Sequence, residues 1–125
     1  MRRLVALIPL LALGLAGCAK TIQPPADHGV CFHMVQFKDG STRFNQLATK
    51  VPTLEGCAAQ LESMRIRFSA LGSNPDQMIG AYQGQFLFLQ PDGIFTGDSL
   101  DGPHYPFLVR SPDGRLVKPG VLQNQ

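Results

Sequence analysis

Three patterns of apolar and polar positions succeed one another along this chain of 125 residues. Leu4 to Leu15 is a nearly unbroken apolar run. Ala19 to Gly29 is polar and contains prolines, and beyond Val30 short apolar runs alternate with turn residues. One helical stripe interrupts those runs: Leu54, Cys57, Ala58, Leu61, Met64, Phe68 and Leu71 recur at three- and four-residue steps. That spacing predicts an amphipathic helix over about 54–71. Thr53 is placed to cap its N-terminus after Pro52, Glu55 falls in the first turn, and Gly72 suits the C′ position.

The short runs predict strands at Cys31–Phe37, Thr42–Leu47, Gly80–Gln90, Ile94–Thr96, Pro106–Arg110 and Arg115–Lys118. Between them lie Asp39-Gly40, Asp92-Gly93 and Asp113-Gly114, where glycine supplies positive φ and aspartate bonds its own backbone, so each marks a hairpin. The expected fold class is α+β, an antiparallel sheet of about five or six strands with the helix packed on one face, in the order ββαββββ. Strand periodicity puts Phe86 and Phe88 on one side, and Leu87 and Leu89 on the other. Phe32 and Met34 likewise oppose Cys31, Val35 and Phe37. A single helix covers one face, so the second must be covered by curling of the sheet, by the terminal hairpin, or by another molecule.

The start of the chain has its own logic. Met1-Arg2-Arg3 is basic, the apolar run is shorter than the roughly 20 residues needed to cross a bilayer, and Pro9 lies inside it. This is the layout of an export signal. Its end, Leu15-Ala16-Gly17-Cys18, resembles the lipobox of bacterial lipoproteins. The resemblance implies cleavage before Cys18, a diacylglycerol on its sulfur and an acyl chain on its amine, hence a membrane partner through that lipid. Ala19 follows in place of the aspartate associated with inner-membrane retention, which implies the outer membrane, facing the periplasm. The resemblance covers the signal alone. The expected organisation is a signal at 1–17, a lipidated tether at 18–29, one α+β domain at 30–118 and a flexible tail at 119–125. Extended, the 11 residues from Ala19 to Gly29 reach about 34 Å.

This start changes the reading of charge and cysteines. The chain has 11 basic and 9 acidic residues, and Arg2 and Arg3 leave with the signal. A neutral domain without a basic run carries no electrostatic footprint for nucleic acid. With Cys18 lipidated, Cys31 and Cys57 are the remaining pair, in a compartment where disulfides persist. The alternative is free thiols, with Cys57 activated at the helix N-terminus; the absence of Cys-x-x-Cys weighs against redox chemistry.

Candidate chemistry is sparse. His28, His33 and His104 lack the spacing of a zinc site, and Asp92, Asp98 and Asp101 lack the glutamate that closes a calcium loop, so neither metal nor cofactor is expected. Glu55 and Glu62, the only glutamates, share a helix face expected to be solvated, unlike the paired carboxylates of a glycosidase cleft. The loop from Thr96 to Tyr105 is polar, glycine-rich and ends in His-Tyr. It is either a connector or a recognition element, and in the latter case Asp98, Asp101, His104 and Tyr105 would make the partner contact. The function these features suggest is a non-catalytic structural or interaction role in the cell envelope, with an envelope protein as partner. A periplasmic small-ligand-binding or inhibitor-type protein is the alternative, and an enzyme is a more distant one.

Overall fold

The computed structural model of the chain describes residues 21–73 and 77–120; the signal, Cys18 and residues 121–125 of the expected tail lie outside the described residues. Among the described residues seven strands and one helix follow in the order β1 (Cys31–Gln36), β2 (Thr42–Ala48), α1 (Leu54–Ala70), β3 (Met78–Tyr82), β4 (Gln85–Gln90), β5 (Gly93–Gly97), β6 (Tyr105–Arg110) and β7 (Leu116–Val117). All seven strands form one sheet, ordered β2-β1-β3-β4-β5-β6-β7, and every neighbouring pair is antiparallel. The α+β class stands. The count of five or six strands does not, because Gly80–Gln90 is two strands and not one.

The chain reverses inside that apolar run, at Gln83 (φ 46°) and Gly84 (φ 83°), two consecutive residues with positive φ. This is the backbone of a tight hairpin, and it twists in the same sense as the flanking strands. Asn-Gly or Asp-Gly would have marked it; Gln-Gly does not. The Asp-Gly turns form as expected around Gly40 (φ 88°) and Gly114 (φ 86°). Asp39 Oδ1 accepts from Ser41 N at 2.9 Å, the local bond that favours aspartate in such turns.

Thr53 Oγ1 accepts from Gly56 N at 3.0 Å and caps α1. The helix ends in a Schellman arrangement: Ser73 N donates to Phe68 O (2.9 Å), Gly72 N donates to Ser69 O (3.1 Å), and Gly72 has φ 87°. Leu71, expected on the apolar stripe, is the C-cap residue and is 83% exposed, because the helix has already run off the sheet there.

Two cores result, one on each side of the sheet. On the helix side Cys31, Cys57, Ala58, Leu61, Leu87, Leu89 and Ile94 are buried together. Leu61 seats directly over Gly80, where a Cβ would lie 2.3 Å from Leu61 Cδ1 and 2.7 Å from Phe32 O. Glycine is thus what lets the helix approach β3. Cys31 and Cys57 form a disulfide with Cα atoms 5.3 Å apart, which ties α1 to β1 in the middle of this core.

On the other side Phe32, Met34, Ala81, Phe86 and Phe88 form the second core. Its cover comes from two irregular segments: Ile22 from the N-terminal stretch and Leu100 from the β5–β6 loop pack against it. Residues read from sequence as part of a tether are therefore in contact with the fold. Pro24 and Gly29 are buried. Gly84 N donates to Pro25 O (3.0 Å) and Val51 N to Gly29 O (2.8 Å), while Gly29 N donates to Gln83 Oε1 at 2.9 Å. These bonds supply the backbone of 25–29 with partners that composition alone does not reveal.

Candidate functional site

The loop from Asp98 to His104 folds over the second core. Gly97 makes room for it, since a Cβ there would lie 3.0 Å from Pro103 O and 3.2 Å from both the His104 ring and the Phe88 ring. The His104 ring stacks on Phe88 with centroids 3.6 Å apart and planes at 18°. His104 Nε2 lies 3.2 Å from Leu100 O. A carbonyl only accepts, so that nitrogen carries the proton and donates. Ser99 Oγ accepts from Gly102 N at 2.9 Å and closes the loop tip. The loop is thus a shaped element over an aromatic floor.

The four residues singled out from sequence do not share one surface. Asp98 and Asp101 are exposed in the loop, whereas His104 is turned inward onto Phe88. Tyr105 pairs with Thr96, which pairs with Leu87 of the helix-side core, so Tyr105 lies toward the opposite side of the sheet, 60% exposed. The adjacency of His104 and Tyr105 in sequence is what separates them, because successive residues entering a strand point to opposite faces.

The histidines are also apart. His33 lies on the helix side with its ring 6.2 Å from that of Phe68, edge-on, while His104 is on the other side and His28 is exposed near the β1 start. Among the described residues no three His, Cys, Asp or Glu side chains converge to hold a metal ion. His33, Phe68, Met34, Gln36 and Met78 line a cleft of about 280 Å³. Ligand pockets typically start at about 300 Å³. Burial lowers the His33 pKa from its ordinary value and so favours the neutral ring.

One charged cluster escaped the sequence reading. Glu62, expected on a solvated face with Glu55, is buried at 6% exposure, while Glu55 is exposed. Arg110 of β6 reaches it, with Nη2 2.7 Å from Oε2, and Arg65, one helical turn on, bonds Oε1. Arg110 Nη1 also donates to Gln90 O. Burial pushes the Glu62 carboxyl up, but the hydrogen bonds and charges of Arg110 and Arg65 outweigh it and hold the pKa below its ordinary value. Two guanidinium groups supply all four hydrogen bonds to this buried carboxylate and hold it in place, and this cluster reads as structural. The disulfide is equally closed, both cysteines being fully buried.

Among the described residues no helix is long and apolar enough to cross a membrane. No family model matches the chain, and neither a curated protein nor a solved structure matches it.

Proposed function

We propose that this chain is a lipid-anchored protein of the bacterial cell envelope, with a non-catalytic structural or interaction role. The observation that carries the reading is the tetrad Leu15-Ala16-Gly17-Cys18, standing after a basic start and an apolar run too short to span a bilayer. The buried Cys31–Cys57 bridge supports it, since such bonds persist in the oxidising compartments to which a signal of this kind leads. Ala19 favours the outer membrane and a periplasmic-facing domain. Several acyl chains on one residue give stable attachment where a single chain gives only marginal binding. The partner would be another envelope component.

The test is mass spectrometry of the N-terminal peptide after expression of the full chain in a Gram-negative host. The expected mature N-terminus is Cys18 with acyl modification, and Cys18→Ser should accumulate as uncleaved precursor. A mature chain beginning at any other residue, or an unmodified Cys18, overturns the reading.

A further inference from the structure

The docked N-terminal segment fixes more than the second core. We infer that the chain lies against the bilayer that holds its own anchor, with the second sheet face turned toward the lipid and the helix side turned away. The inference rests on the lipoprotein reading of Cys18 and deepens it by assigning the orientation.

The argument is one of reach. A tether free from Ala19 to Gly29 would let the domain turn in any direction within about 34 Å of the membrane. The structure removes most of that freedom. Ile22 packs against the second core, Pro24 is buried, and Pro25 and Gly29 are hydrogen-bonded to Gly84 and to Val51 and Gln83. Four peptide steps separate Cys18 from Ile22, which at full extension is about 14 Å.

That lead leaves from the second face, since Ile22 lies there. To bring the helix side onto the bilayer it would have to run around the sheet and past the helix layer, which alone is about 10–12 Å thick. A lead of about 14 Å does not cover both. The segment and the loop carrying Leu100 and His104 roof the same core, whose residues span β1 to β4. Both segments pack on that one core, so the loop shares Ile22's side of the sheet. Asp98 and Asp101 keep the loop tip polar, which suits the headgroup layer and not the hydrocarbon.

The chain has no tryptophan, so single tryptophans report on orientation. The lipidated full chain would be reconstituted into phosphatidylcholine vesicles containing a dansyl-headgroup lipid. Asp101→Trp places the donor in the loop, and Ser63→Trp places it on the exposed outer side of α1. Energy transfer to the headgroups should be at least twofold stronger from Asp101→Trp. Adding Ile22→Ser and Pro24→Gly removes the packing of the lead, and inserting about 15 Gly/Ser residues after Ala19 lengthens it past the span of the sheet. Together these changes undock the anchor from the fold and should bring the two efficiencies together. Equal or reversed transfer, in preparations that float with the vesicles, overturns the orientation while leaving the anchor intact. A difference that survives undocking overturns the role of the segment. Failure to float overturns the anchor and the orientation with it.

Discussion

Gly80 shows how much of this fold turns on a missing side chain. It lies in β3 beneath Leu61, and the nearest neighbour of an added Cβ, apart from Leu61, is the backbone oxygen of Phe32 at 2.7 Å. Leu61 can change rotamer, but β1 cannot retreat without disturbing its ladder with β2 and the disulfide at Cys31. Gly80→Ala is therefore expected to cost about 2–3 kcal/mol, in the range of overpacked cores. Urea unfolding of the chain checks it; a midpoint unchanged from wild type would mean the helix lifts freely. Gly84 differs in kind. Nothing lies within 4 Å of its added Cβ, so its requirement is the positive φ of the β3–β4 turn. The periodicity of the run flanking these two glycines is legible in sequence; the role of Gly80 is not, because it depends on Leu61 and Phe32, distant in the chain, and the turn at Gly84 lacks the aspartate that would mark it.

At the scale of elements, the disulfide is the link that sequence reasoning identified and geometry supports. Cys57 falls in the first turn of α1 and Cys31 begins β1, as the predicted helix and strand bounds imply, and the two are bonded. With a sequence separation of 26, the closed loop contains β1, β2 and the entry to α1. In the chain-entropy picture such a loop contributes about 3–4 kcal/mol. Replacing both cysteines with alanine should lower the unfolding free energy by at least that much, measured by denaturant titration in the absence of reductant. A smaller loss would place the stability of this unit in its packing. The helix was legible because its stripe, cap and C′ glycine agree. The strand count was not, because the Gln83-Gly84 reversal lies within continuous apolar sequence and lacks the aspartate of the other turns.

Across the whole molecule, Glu62 and Arg110 join α1 to the far half of the sheet. The pair is 48 residues apart in sequence and almost fully buried. Its pH dependence follows from the sign of the shift. Glu62 has its pKa held below the ordinary value of 4.5, so its stabilisation is fully present above that value and lost as pH falls through the folded one. Asp39 and Asp113, lowered chiefly by hydrogen bonds from Ser41 and Ser111, add to the same acid limb. His33 adds an earlier loss: its pKa is lowered from 6.5 by burial, so the unfolded chain takes the proton first and stability declines below that pH. Glu62→Gln should cost about 3 kcal/mol at pH 7, because it strands a buried guanidinium. The deficit should shrink as the pH falls through the lowered folded pKa of Glu62, where wild type loses the charge as well. Urea midpoints across a falling pH series decide it, and a deficit that stays constant until the chain unfolds would show that the carboxylate charge is not the cause.

The division between what the sequence determines and what folding adds follows the range of the interactions. Periodicity, caps and turn residues are local, so the α+β class, the helix at about 54–71 and two apolar sheet faces could be read directly, as could the one cysteine pair left once Cys18 is set apart. The expected signal and the tetrad that resembles a lipobox are local patterns too, and they carry the proposed address. Tertiary structure alone decided what covers the second face: Ile22 and Leu100 come from segments whose composition reads as tether and loop. It alone chose which of the adjacent His104 and Tyr105 meets the second core, and it buried Glu62. Each of these depends on a contact between residues far apart in the chain, and no window of sequence contains both partners.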